Sequence, residues 1–242
     1  MTRNEMMRDR SAILFGAVIG LVLALQIELR EAQGAFITSS TDILPPQVVV
    51  DFSQFSSGFT FTSSPVQVGG LVGEDITYSS TSAFSVVGSG DYDLAGNGQW
   101  DATLSFAAIN TPADAITFTF NDGPVAAVGA FMNYATDSFG DLTITAYNSS
   151  NVIIETYDVT TLAPISTSGT NEGAFRGIAL SSNDIASFQI SGAFGVLTDL
   201  TFSRVDPAAV PEPGSLFLLC MGVASFWGLG WISKRRSNFV EV

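Results

Sequence analysis

Leu142-Thr143-Ile144-Thr145-Ala146-Tyr147 is followed by Asn148-Ser149-Ser150-Asn151, and then by a second run from Val152 to Val159. In the first run Leu142, Ile144 and Ala146 alternate with Thr143, Thr145 and Tyr147. A period of two belongs to a strand with one buried face and one wet face. The four polar residues between the runs are turn formers, because Asn and Ser side chains hydrogen-bond their own backbone. Residues 141–159 therefore read as a β-hairpin.

The same pattern extends in both directions. Ile116, Phe118 and Phe120 alternate with Thr117 and Thr119. Trp100, Ala102, Leu104 and Phe106 alternate with Asp101, Thr103 and Ser105, which predicts a half-buried strand with Trp100 and Phe106 on its core side. Phe175 to Leu180, Ile185 to Ile190 and Leu197 to Phe202 supply further short apolar runs. From Val48 to Phe202 no window of helical length carries a 3.6-residue apolar period. Many short strands with regular turns predict an all-β chain, folded as a single antiparallel β-sandwich of jelly-roll type.

Both ends of the chain differ from this middle. Arg3, Arg8 and Arg10 precede an uncharged stretch from Ser11 to Leu25. Ala32 and Gly34 place small residues at the −3 and −1 positions of a signal-peptidase site, so cleavage is expected after Gly34. Gln26 to Glu31 is longer and more charged than usual, and an uncleaved signal anchor is the alternative reading. At the other end, Val210-Pro211-Glu212-Pro213 leads into an uncharged run from Gly214 to Ile232, then Lys234-Arg235-Arg236. As a helix that run spans about 30 Å, enough for a bilayer core. Trp227 and Trp231 lie toward its C-terminal end, where interfacial aromatics are expected. The basic triplet keeps the tail cytoplasmic by the positive-inside rule. Asp206 to Pro213 carries three prolines and reads as a stiff extended linker.

Composition narrows the chemistry. Of nine Lys and Arg, only Arg176 and Arg204 fall within 35–210, which also holds most of the 23 acidic residues. Such a surface disfavours nucleic acid, whose phosphates need basic partners. The single cysteine, Cys220, sits in the C-terminal apolar run, so the exported middle has no disulfide. At its size the core carries the stability. There is no histidine. That excludes Ser-His-Asp triads and His-ligated zinc.

Candidate sites are few. Asp91, Asp93 and Asn97 lie in a Gly-rich loop of the kind that offers oxygen ligands to calcium. The EF-hand pattern fails, because Ala102 falls where the twelfth-position acid belongs, and an ordinary Asp/Asn turn is the preferred reading. Glu74-Asp75 and the pair Asp137 and Asp141 read as acidic turns. Tyr92, Trp100 and Tyr134 offer rings for stacking on a sugar, against the commoner reading of strand aromatics as core. No serine sits in a Gly-x-Ser-x-Gly elbow. No catalytic residue is assigned.

The C-terminal tripartite signal resembles the PEP-CTERM sorting domain: Pro211, Glu212 and Pro213 as the motif, then the apolar helix, then Lys234, Arg235 and Arg236. That resemblance implies recognition by an exosortase, a membrane transpeptidase, in a Gram-negative cell that makes exopolysaccharide or biofilm matrix. Val128-Gly129-Ala130-Phe131, Leu142 to Tyr147, Gly173 to Ile178, Ile185 to Ile190 and Asp199 to Phe202 together resemble the jelly-roll ectodomain of many PEP-CTERM proteins. That ectodomain is itself similar to galactose-binding-like and lectin-like sandwiches. The expected organisation is a signal peptide at 1–34, a β-sandwich ectodomain at 35–206 and a sorting signal at 207–238. Within the last, the motif is 210–213, the transmembrane helix 214–232 and the basic stop 234–236. The expected role is that of an exported, non-enzymatic protein, transiently anchored by its helix and then sorted to the outer surface or extracellular matrix, with no obligatory cofactor. A calcium-assisted module for exopolysaccharide is the first alternative, and a secreted hydrolase the second.

Overall fold

The computed structural model describes residues 34–90, 104–135, 139–165 and 173–204. The chain divides into two units, Met1–Asp206 and Pro207–Val242, and every described residue lies in the first. Among the described residues no helix is long and apolar enough to cross a membrane. The signal segment up to Gln33 and the whole sorting signal lie outside them.

Among the described residues fourteen strands form two antiparallel sheets. In the first, β1 (Ala35–Ile37), β12 (Ala174–Ala179), β9 (Ala127–Asn133), β14 (Val196–Ser203), β7 (Ser105–Ala108), β6 (Val86–Ser89) and β3 (Phe59–Phe61) follow one another, and β2 (Val48–Val50) also pairs with β14. In the second the order is β11 (Ile153–Asp158), β10 (Thr143–Tyr147), β13 (Ser187–Ser191), β8 (Ala115–Phe120), β5 (Ile76–Ser80) and β4 (Val66–Gln67). Strands β7 to β14 alone give the orders 7-14-9-12 and 8-13-10-11. Two four-stranded sheets with those connections are the double Greek key of a jelly roll. The expected fold class is therefore met in its strand order. The six earlier strands widen both sheets.

Between the sheets lies one main core. Ile116, Phe118 and Phe120 of β8, Ile144 and Ala146 of β10, Phe188 and Ile190 of β13, and Val128, Ala130 and Met132 of β9 all enter it. Its aromatic contacts include Phe52–Phe118, Tyr78–Phe118 and Phe120–Phe202, with centroids 5.9, 5.8 and 5.1 Å apart. Truncating one such ring to Ala costs about 3–5 kcal/mol.

The hairpin expected over 141–159 is present as β10 and β11. Asn148 Oδ1 accepts from Ser150 N and Val152 N, and Asn151 takes the left-handed conformation at φ 59°. Strand β11 ends as Val159 begins a single helical turn, α1 (Val159–Leu162), capped by the Asp158 carboxylate on Thr161 N.

Strand β7 departs from expectation. Its four residues are all buried, and Phe106 faces away from the main core. Ala107 takes the core side with Val87 and Leu197, whereas Phe106 clusters with Val86, Ala108 and Val196. The physical reason is a roof: Phe59 from β3 comes within 6.1 Å of the Phe106 ring and covers the outer face. Trp100 lies outside the described residues.

Strand β14 serves two neighbours on one side. Val196 and Leu197 pair with β7, and Leu200 to Phe202 pair with β2. The changeover sits where its register against β9 shifts, and there Asp199 is left-handed at φ 51°. Asp and Asn are among the few side chains that adopt this conformation readily.

Candidate functional site

The outer face of the second sheet is a field of small polar side chains. Its strands alternate, so every residue opposite a core position points outward. Register then sets the outward residues in rows across the sheet. One row runs Thr156, Thr145, Gln189, Thr117, Ser79, and the next runs Tyr147, Ser187, Thr119, Thr77, Gln67. A third begins Asp158, Thr143, Ser191. Neighbouring positions along a row are about 4.8 Å apart and successive rows about 6.7 Å apart.

These side chains bond one another laterally. Tyr147 Oη donates to Gln189 Oε1 at 3.0 Å, and Gln189 Nε2 donates to Thr117 Oγ1 at 2.9 Å. Thr156 Oγ1 donates to Thr145 Oγ1 at 3.2 Å, and the hydroxyls of Thr143 and Ser191 are 2.6 Å apart. At the far end Asn121 Nδ2 donates to Thr77 Oγ1 at 2.8 Å and to Asp75 Oδ1 at 3.0 Å. Gln67 Nε2 donates to the same carboxylate oxygen at 2.9 Å. Hydroxyl and amide groups each keep spare donor or acceptor capacity after one such bond. The two full rows carry hydroxyls, the amides of Gln189 and Gln67, one phenol ring and no formal charge. Such a face suits a neutral, hydroxylated, extended ligand.

The sequence shows each threonine as one half of an alternation, but not the lateral register. Gln189, Thr117 and Tyr147 come together from three strands distant in the chain. No single-strand pattern singles them out.

The residues singled out in the sequence fall elsewhere. Asp91, Asp93 and Asn97, with Tyr92 and Trp100, lie outside the described residues, as do Ala32, Pro211, Glu212, Pro213, Lys234, Arg235 and Arg236. Gly34 is described. It precedes β1, with its N–H on Glu155 Oε1 and its carbonyl oxygen accepting from Tyr157 Oη. Tyr134 is buried in the core at 1 % exposure and presents no face to a ligand. Glu74 is ion-paired to Arg204, and Asp75 is occupied by Gln67 and Asn121. Among the described residues no group of three acidic or cysteine side chains is placed to hold a metal ion.

Arg176 is a second unusual feature. It is fully buried on the core side of β12. Its Nη1 donates to the carbonyls of Ala174 at 2.6 Å and Met132 at 3.2 Å, and its Nη2 to that of Ala163 at 3.2 Å. Burial pulls its pKa below the ordinary arginine range, and the nearby Tyr134 phenol pushes the other way. Tyr134 Oη accepts from Ile165 N at 2.8 Å. Together the two side chains moor the segment after α1 to the first sheet.

Residues 209–236 match the family model described as the PEP-CTERM protein-sorting motif. The chain carries a PEP-CTERM sorting signal. The signal accounts for the C-terminal part and leaves the activity of the sandwich to its own geometry. No curated protein matches the sequence. Among solved structures, the PEP-CTERM-bearing chain is similar to a two-domain protein of unknown function from Bacteroides fragilis, at 9 % identity and TM-score 0.31. That match covers 61 % of this chain and 47 % of the other, so this chain spans about half of its length. It is also similar to CsCBM6-3 from Clostridium stercorarium, solved in complex with cellobiose, at 18 % identity and TM-score 0.32, covering 59 % of this chain and 94 % of that one. At these scores the likenesses carry no weight for ligand binding, and the fold rests on strand order.

Proposed function

We propose that this is an exported, non-catalytic protein that an exosortase handles through its PEP-CTERM signal and delivers to the outer surface or extracellular matrix, with the sandwich as its structural or binding payload. The observation that carries this reading is the motif match at 209–236. In the proposed sequence of events the signal peptide exports the chain and the apolar run from Gly214 to Ile232 holds it transiently in the membrane. The exosortase recognises Pro211, Glu212 and Pro213 and separates the sandwich from the helix.

Intact mass and C-terminal peptide mapping test this on protein from its own host and from an exosortase-deficient strain. The expected result is a C-terminus near Pro211 to Pro213 in the competent strain only. A tail running through Val242 in both strains overturns the sorting step and makes the helix a permanent anchor.

The polar field on the second sheet favours a specific payload. Its rows of hydroxyls and amides complement a neutral polysaccharide of the matrix, with Tyr147 as the one ring available for stacking there. In its calcium-assisted form this reading places the ion at Asp91, Asp93 and Asn97 and predicts an EDTA-sensitive melting temperature. A melting temperature unchanged by EDTA removes calcium from it.

A further inference from the structure

The start of β1 is held by two side chains from the other sheet. Glu155 and Tyr157 lie on β11, the edge strand of the second sheet, and β1 is the edge strand of the first. Gly34 N donates to Glu155 Oε1 at 2.6 Å, and Tyr157 Oη donates to Gly34 O at 2.6 Å. The Phe36 ring packs on Tyr157 with centroids 5.5 Å apart. A Cβ on Gly34 would collide with Glu155 Cγ and come within 2.8 Å of Leu180 Cδ2, so a larger residue there has to push those side chains aside. These contacts span 121 and 123 residues of sequence. They bridge the edges of the two sheets at Gly34, the residue after which signal cleavage is expected.

A carboxylate facing a neutral backbone N–H gains less than one facing an ammonium. We propose that Glu155 and Tyr157 form a receptor for the chain's own processed amino terminus. It takes the α-ammonium of Ala35 released when the Gly34–Ala35 bond is hydrolysed. Water adds across that bond, the carboxylate leaves with Gly34, and the new amine stays on β1. In the precursor, Gly34 occupies the notch with its own N–H and C=O. The Ala35 nitrogen is bonded to the carbonyl carbon whose oxygen Tyr157 holds, and in this proposal the freed amine takes the place that Gly34 leaves between Tyr157 and Glu155. The neutral link between the sheets becomes an ionic one, and export processing and closure of the sandwich edge are coupled. This proposal rests on the reading of 1–34 as a cleaved signal peptide.

Three side chains line the notch at Gly34, into which the new amine is proposed to move. Glu155 and Tyr157 face it from β11, and Leu180 faces it from the end of β12 with an apolar wall. Burial first, and then the adjacent Glu155, push the Tyr157 phenol above its ordinary range, so it stays a neutral hydroxyl while the amine titrates. An opposite charge raises the pKa of an amine. The α-amine of Ala35 therefore holds its proton above its usual value near pH 8.

The test uses the protein exported by its producing cell, both wild type and E155Q. N-terminal sequencing comes first, followed by pH-dependent acylation of the α-amine. The expected first residue is Ala35, with labelling at pH 8 about tenfold slower than in an unfolded peptide of the same sequence. E155Q keeps the shape of the notch and restores peptide-like labelling, with Y157F between the two. A retained signal segment or another first residue overturns the proposal, and so does labelling that is the same in wild type and E155Q. Resistance to proteolysis, compared across all three proteins, separates a lost ion pair from a misfolded domain. The C-terminal mapping experiment reads a different end of the chain, so failure here leaves the sorting reading standing.

Discussion

Arg204 closes the end of β14 onto Glu74, 130 residues earlier in the chain, through a two-point ion pair. Nη1 donates to Oε1 at 3.0 Å, and Nη2 lies 2.8 Å from Oε2. The guanidinium also lies over the Phe202 ring, 5.3 Å from its centroid. Arg204 directly follows β14, so the pair ties the C-terminal end of that strand to the turn at Glu74.

Breaking that pair should fray β14 locally rather than unfold the domain. Both side chains are partly exposed, and such a pair contributes about 1 kcal/mol at most. Arg204→Ala is expected to lower overall stability by no more than that. It should accelerate hydrogen exchange at Thr201 to Ser203 and open the linker to added protease. Unchanged exchange at those amides would show that the ladder with β9 holds the strand without the ion pair.

Arg176 should behave differently, because its charge is buried. It donates to three carbonyls, those of Met132, Ala163 and Ala174, the second of which also accepts from Tyr134 Oη at 3.4 Å. Arg176→Ala leaves them without that donor and is expected to cost about 3 kcal/mol or more in denaturant unfolding. Arg176→Lys places a single compact ammonium where a planar fork spans two directions, and should recover less than half of the loss. A full rescue by lysine would mean that charge alone, and not the fork, does the mooring.

Strands β8 and β10 are legible in the sequence, because each alternates apolar and polar residues over five positions, whereas β12, β13 and β14 read only as short apolar runs. Strands β1 to β3 are not legible, since three residues cannot display a period. Phe106 was assigned to the core on alternation alone. Its outward placement depends on Phe59, which belongs to one of those short strands. Arg176 stood out in an acidic domain, but its burial was illegible because its partners are backbone carbonyls rather than a carboxylate. Tyr134 lies in the core, as the commoner reading of such aromatics has it. The polar field was hidden for a related reason. Thr117, Gln189 and Tyr147 meet only through strand order, which is set by connections far from any of them.

Asp199 gives a pH-dependent prediction. It sits at the left-handed position of β14, and burial first, then the Asp51 carboxylate, raise its pKa above the ordinary aspartate value. Asp51 is fixed in place by Ser53 N at 3.0 Å and Ser53 Oγ at 2.8 Å. A carboxyl with a raised folded-state pKa contributes stability below its unfolded pKa, near 4, and loses it as pH rises through the folded value. At neutral pH the wild type therefore carries a penalty. Asp199→Asn removes the charge and tolerates the same φ, so it should raise stability at pH 7 by up to about 1 kcal/mol. The gain should fade as pH falls through 4. Asp199→Ala also removes the charge but suits that φ poorly, at a cost of about 1–2 kcal/mol, and should not stabilise. Thermal melts of the three proteins at pH 7 and pH 3.5 check all of this. An Asn variant with equal gain at both pH values would place the effect outside titration.

The polar field makes the last prediction, and it separates stability from binding. Gln189 links Tyr147 to Thr117 on a half-buried outer face and touches no core residue through those bonds. Gln189→Ala removes two neutral hydrogen bonds whose remaining groups still reach water, so its stability cost should stay near 1 kcal/mol. If the face takes a neutral polysaccharide, the same change should reduce retention on an immobilised polysaccharide several-fold. Tyr147→Ala, which removes the one ring on this part of the sheet, should abolish it, since stacking carries the apolar share of such a contact. Salt should matter little, because no formal charge stands in the central rows. Both variants need melting temperatures close to wild type for the comparison to count. Retention that survives both substitutions, or that falls steeply with added salt, would move the binding role off this sheet.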